Sequence, residues 1–196
     1  MSTMPSLPDG TRNESIKQFT YGKIIQGGLD KSGYARIAQS TQLPDEVTIQ
    51  QIRDRASVGQ VHDLASYGGS IATFLNGPFA IAARFQRSPK KDSRGYFLQE
   101  HYLLLPRAPF AALGNHFSYL IDMLPPEIPW REQAETLPLL PLPQRNPGLE
   151  QQQFQEMWAQ RREQLWYVLQ LALDDQRFAL SATLQEQSLL WRFFSA

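Results

Sequence analysis

Three histidines, His62, His101 and His116, and a basic run from Arg84 to Arg94 are the residues of this chain best suited to chemistry. A hydrolytic zinc site needs at least three ligands backed by a second shell of hydrogen-bond partners. Asp63, Glu100 and Asp122 lie near the histidines in sequence, but no spacing dictates a site, and no metal is expected. His101 stands beside Glu100 in an apolar, strand-like stretch, where successive side chains point to opposite faces. The two cannot act as a simple acid–base pair, and a histidine hydrogen-bonded at a sheet edge is the expectation. An enzyme or effector would instead need Tyr21, Arg36 and His101 to converge in one small pocket. In the basic run, Arg87, Lys90, Lys91 and Arg94 could meet phosphates while bases stack on Phe85, Tyr96 and Phe97. The competing reading is a solvated hairpin tip whose charges prevent edge-to-edge pairing.

Other reactive patterns are missing. The chain has no cysteine, which excludes disulfides and thiolate nucleophiles. Gly22-Lys23 and Gly27-Gly28 lack the Gly-Lys-Ser/Thr ending that cradles phosphates, and no dinucleotide-binding glycine pattern occurs. Gly68-Gly69-Ser70 lacks the second flanking glycine of a serine nucleophile elbow. No cofactor is expected.

The whole chain has 196 residues, 42% of them apolar and 11% aromatic, enough for one well-buried domain and perhaps an appended helical part. Its 19 basic and 19 acidic residues cancel, so there is no global attraction to nucleic acid or to an anionic membrane. The first fifteen residues contain no apolar core of signal-peptide length. No apolar run approaches the ~18 residues of a transmembrane helix. A soluble cytoplasmic protein is the expectation.

The elements that would position these groups form an α+β domain, a mixed or antiparallel sheet built from hairpins with flanking helices and a C-terminal helical arm. Residues 1–15 form a disordered lead-in, 16–124 the α+β domain, 125–148 a proline-rich strap or linker, and 149–196 the helical segment. Strands over Ile16–Ile25 and Tyr34–Ser40 flank a glycine-rich turn. Leu43-Pro-Asp-Glu-Val opens a helix whose acidic first turn suits the helix dipole, with Val47, Ile49, Ile52 and Ala56 as its apolar stripe. A mixed segment broken by Gly68, Gly69, Gly77 and Pro78 follows. Phe79–Phe85 and Tyr96–Leu105 make a second hairpin around a charged turn. A helix over Phe110–Leu124 is weakened by Gly114 and Asn115. Seven of the fourteen prolines then fall between Pro125 and Pro147, a density that blocks regular helix.

The aromatic C-terminal half points to a partner. Trp158 lies on the helical stripe, and Trp166, Tyr167, Leu190, Trp191, Phe193 and Phe194 exceed what one buried stripe needs. Apolar patches of that size must be covered, and tryptophan and tyrosine dominate interface energetics. Trp166, Tyr167, Leu190, Trp191, Phe193 and Phe194 are therefore the candidate partner-binding residues of a non-enzymatic adaptor.

Tyr21-Gly22-Lys23, Gly33 to Ser40 with Leu43, Phe79 to Phe85, and Arg94 to Leu104 with His101 in an apolar strand occur in a recognisable order. In these stretches the chain resembles the N-terminal domain of GTPase-associated protein 1, a family of bacterial conflict systems. The resemblance covers residues 19–105 and, loosely, the tail. It implies an adaptor beside a GTPase or an AAA-type ATPase, with no catalytic residues to transfer, and a chain that continues into a further domain. Homo-oligomers are compatible with it.

Overall fold

A computed structural model of the chain describes residues 15–23, 33–57, 69–92, 95–131 and 133–148. Beyond these it describes residues 151, 152, 155, 156, 158–160, 162, 163 and 166. The strands are β1 (Lys17–Lys23), β2 (Tyr34–Ser40), β3 (Ser70–Asn76), β4 (Phe79–Asp92), β5 (Gly95–Pro106) and β6 (Glu135–Leu137). They form one mixed sheet in the order β3-β4-β5-β1-β2-β6, antiparallel throughout except where β6 runs parallel to β2. Three helices flank it: α1 (Glu46–Ser57), α2 (Arg107–Ala112) and α3 (Ser118–Met123). The architecture is α+β.

Both faces of the central strands are buried, which is why FAIAARF and HYLLL read as continuous apolar runs rather than alternating ones. On one face α1 sets Ile49, Ile52 and Ala56 against Phe19, Ile81, Ala83, Phe85, Tyr102 and Leu104. Phe19 stacks on Tyr102 at 4.5 Å between centroids, and Phe85 meets the same ring edge-on. On the other face α2 and α3 pack Phe110, Phe117, Leu120 and Ile121 against Ala80, Ala82, Leu103 and Leu105. Each aliphatic or phenyl side chain fully buried this way contributes about 1.5–3 kcal/mol.

Four local expectations need correcting. Val47 is 68% exposed and not part of the α1 stripe, because only the positions from Ile49 onward turn toward the sheet. The segment after Gly69 is a full strand, β3, joined to β4 by a turn at Gly77-Pro78, with Gly77 at φ 52°. The charged 86–95 segment is strand as well: β4 and β5 pair out to Asp92↔Gly95, and an irregularity between Arg87 and Lys91 absorbs Pro89. The 110–124 helix is two short helices, since Gly114 (φ 73°) and Asn115 (φ 60°) adopt left-handed conformations that end α2.

Gly114 is a close approach as well as a turn. A Cβ there would lie 2.8 Å from the His116 ring and 2.9 Å from the Arg145 guanidinium. Gly114→Ala is expected to destabilise the protein by about 1–2 kcal/mol for the left-handed backbone, more where Arg145 cannot move. Urea unfolding of the variant measures it.

The proline-rich stretch crosses the sheet as a strap. Ile16 and Leu140 exchange backbone hydrogen bonds of 2.9 and 3.0 Å. Three glutamine side chains hang the rest from the sheet. Gln86 both donates to the Ile128 carbonyl and accepts from its N–H, each at 2.7 Å. Gln18 donates to Pro138 and Gln99 to Pro129. A segment whose prolines remove its own donors is thus tied down by side-chain amides. Further on, every described residue from Pro147 to Trp166 is helical.

Candidate functional site

Between α1, the outer edge of β2 and the start of β6 lies a cleft of about 640 Å³. Its position follows from three local features. Asp45 caps α1, its carboxylate accepting from the Thr48 N–H and hydroxyl at 2.9 Å each. The Thr48 backbone bond, followed by its hydroxyl, holds the Asp45 carboxyl below its ordinary range. A register shift between Thr20 and Tyr21 re-aims the end of β1, so that Tyr21 pairs with Arg36. Finally, β6 covers only Ala38 to Ser40 of β2, and the edge from Tyr34 to Ile37 has no strand partner among the described residues.

The cleft wall is a chain of paired groups. The Arg53 guanidinium sits 3.2 Å over the Tyr21 ring and reaches both Glu100 oxygens, at 3.1 and 3.4 Å. Tyr102 donates to Glu100 at 2.8 Å from within the core. Burial, reinforced by the Glu100 charge, raises the Tyr102 hydroxyl pKa far above the ordinary tyrosine value. Burial opposes the Arg53 charge, yet the hydrogen bonds and charge of Glu100 outweigh it and hold the arginine above its usual value. Tyr21 donates to the Tyr34 carbonyl at 2.8 Å, and the Tyr34 hydroxyl accepts from the Leu98 N–H at 2.9 Å. At the rim Arg36 pairs with Glu46, whose side chain is 76% exposed.

The structure brings Tyr21 and Arg36 together and leaves His101 apart. Tyr21 pairs with Glu100 across the strands, and His101, one residue on, points through the opposite face. There its Nδ1 lies 2.8 Å from the Thr20 hydroxyl. The predicted three-residue pocket does not form, because residues of opposite parity on β5 cannot share a face. His101 is also not at a sheet edge: β5 is central, flanked by β4 and β1, and the histidine is 3% exposed. Sequence reasoning missed Arg53 and Glu46. Their only signal is the i, i+7 spacing along α1 that sets both above β2.

The other candidates are dispersed. Trp166 is 60% exposed on the helical segment. Tyr167, Leu190, Trp191, Phe193 and Phe194 lie outside the described residues, as do His62, Asp63 and Arg94. Arg87 and Lys90 are exposed on β4, with the Lys90 ammonium 6.0 Å from the Trp130 ring. For Lys91 the backbone alone is described. His116 is buried against Tyr119. Among the described residues no histidine–carboxylate cluster with metal-ligand geometry occurs, and no helix is long and apolar enough to cross a membrane.

No family model matches the chain, and no curated protein matches it. Among solved structures it is similar to the longin domain of Lst4 from K. lactis, with 9% identity, a TM-score of 0.36 and 91% of each chain covered. At that score the likeness carries neither ligand nor partner across.

Proposed function

We propose that this chain is a protein-interaction module that accepts an extended partner segment as an added strand along β2. The observation that carries the reading is the uncovered edge at Tyr34–Ile37 on the floor of the cleft. An open strand edge presents unpaired N–H and C=O groups and is a ready template for strand addition. The chain itself uses this mode next door, where β6 docks on Ala38–Ser40. A partner strand would continue the line of β6 and lie beneath α1. Each backbone bond is worth a net ~0.5–1.5 kcal/mol, so a ladder of about four bonds contributes about 2–6 kcal/mol, an affinity no tighter than roughly 40 µM from the backbone alone.

Arg36 adds a preference. Its exposed pair with Glu46 is worth about 0–1 kcal/mol, so a partner carboxylate can replace Glu46 at little cost. The exposed Tyr34 (44%), which lines the cleft, supplies an apolar rim contact. Acidic–apolar extended segments are the fitting class.

Within this reading the partner belongs to a GTPase or AAA-type ATPase assembly of a bacterial conflict system in the cytoplasm, as the resemblance to the GTPase-associated protein 1 N-terminal domain implies. The arm bearing Trp166, Tyr167, Leu190, Trp191, Phe193 and Phe194 forms a second docking surface. Peptides selected from a displayed library against the full chain test the edge. Titrated into isotope-labelled protein, they are expected to shift the amides of Tyr34–Ile37 and of the first turns of α1, and Arg36→Ala is expected to weaken them severalfold. Shifts confined to other strands would refute edge docking.

A further inference from the structure

The face of the sheet opposite the cleft changes character along its length. Beyond the apolar floor under α2 and α3 it carries Thr20, Arg84, Gln86, Ser88, Gln99 and His101, all buried. The Ile128–Arg131 part of the strap covers this polar layer, with Trp130 stacked on Phe97. Among the described residues the charges in the layer do not balance. Arg84 is 6% exposed, and its Nε has no hydrogen-bond partner. Burial lowers its pKa from the ordinary arginine value, and among the described residues no carboxylate acts against that. Arg131, 8% exposed, already has Glu135 at 2.8 Å, and it and Arg84 both press their positive charge on His101. Among the described residues Glu100 is the one buried carboxylate, and it points through the other face to Arg53. The buried indole N–H of Trp130 is a second donor without an acceptor.

Burying a guanidinium without a counter-charge costs several kcal/mol unless an anion accompanies it. We propose that the polar layer beneath the strap binds a small free oxyanion of the phosphate class, seated on Arg84 and flanked by His101 and Arg131. A guanidinium presents parallel N–H donors that match two oxygens of a tetrahedral oxyanion. Both arginines act on the same histidine, so a multivalent ion satisfies the layer better than a carboxylate does. The depth of the three residues restricts the occupant to a small ion rather than a phosphate carried on a membrane. Lys90, exposed beside Trp130, marks the rim.

The test uses the full chain and inorganic phosphate. Thermal melts in phosphate and in sodium chloride of equal ionic strength are expected to differ, with phosphate raising the melting temperature in a saturable way. Arg84→Met is expected to weaken phosphate binding at least tenfold in calorimetric titration. Without phosphate it should melt at or above the unsubstituted protein, because the lone charge is gone. Where Arg84→Met does not fold, Arg84→Lys replaces it, keeping the charge without the fork and still losing most of the affinity. In a histidine-resolved NMR titration, phosphate is expected to raise the pH at which His101 protonates. Equal melts in the two salts, full phosphate affinity after loss of Arg84, or acetate binding as well as phosphate would each overturn the proposal.

Discussion

Glu100→Ala is expected to destabilise the protein by about 3–5 kcal/mol, the cost of breaking a buried ion pair from one side. The carboxylate holds Arg53 through two contacts and accepts from Tyr102, and the side chains of Arg53 and Glu100 are 17% and 10% exposed. Its removal leaves a guanidinium short of its counter-charge and a core hydroxyl without its acceptor. Both penalties fall on the junction between α1 and β5, which is also the wall of the cleft. A double variant, Arg53→Met with Glu100→Leu, is expected to recover much of the loss, since an apolar pair of similar volume often equals or exceeds a buried ion pair in stability. Urea unfolding of the unsubstituted protein, Glu100→Ala, Arg53→Met, Glu100→Leu and the double variant measures this. A single-variant loss below about 1 kcal/mol would mean that water, not Arg53, solvates Glu100 in the folded state.

That wall shows why part of the site was legible in the sequence and part was not. The alternation around Glu100 and His101 separated the two side chains correctly, because a strand period of two depends on local geometry alone. The same rule sets Tyr34, Arg36 and Ala38 on one face, but the register shift puts Arg36 opposite Tyr21 and Ala38 opposite Thr20, on opposite faces. It could not reveal that Arg53, on a helix, would lie over Tyr21, since that contact depends on how α1 crosses the sheet. The assignment of His101 to the Tyr21 and Arg36 pocket failed for a related reason: pairing parity carries across strands once the register is known, and the register is not a local property. By composition the charged Gln86–Gly95 run is a turn. The β4–β5 pairing overrides that composition, and the irregularity at Arg87–Lys91 accommodates the proline that had argued for a loop. The β3 strand was hidden by its flanking glycines, although Ser70-Ile-Ala-Thr-Phe-Leu-Asn carries ample β-branched and aromatic residues.

The two faces of β5 also divide the electrostatics. On the α1 side each buried charge has a partner within hydrogen-bond reach, so that side resists change. On the strap side, among the described residues, only the half-exposed Glu135, paired with Arg131, opposes the positive charge, and glutamine amides rather than ion pairs fasten the covering segment to the sheet. A strap fastened through neutral amides can tolerate an ion arriving beneath it, because no salt bridge has to break.

His101 gives the strap side a pH signature. Burial, then the charges of Arg131 and Arg84, lower its pKa from 6.5 to about 4. The unfolded histidine therefore takes up its proton near pH 6.5 and the folded one only near pH 4. Between those values the unfolded state binds more protons, so the neutral, buried histidine loses stability as the pH falls through that window. The shift corresponds to a loss on the order of 3 kcal/mol, present in full near pH 4. In phosphate-free buffer, stability measured by urea unfolding is expected to fall from pH 7 to pH 4.5 more steeply for the unsubstituted protein than for His101→Gln, which has nothing to titrate at that position. Parallel curves for the two proteins would show that His101 is charged in the folded state, and that Arg84 and Arg131 do not exert the repulsion their positions imply.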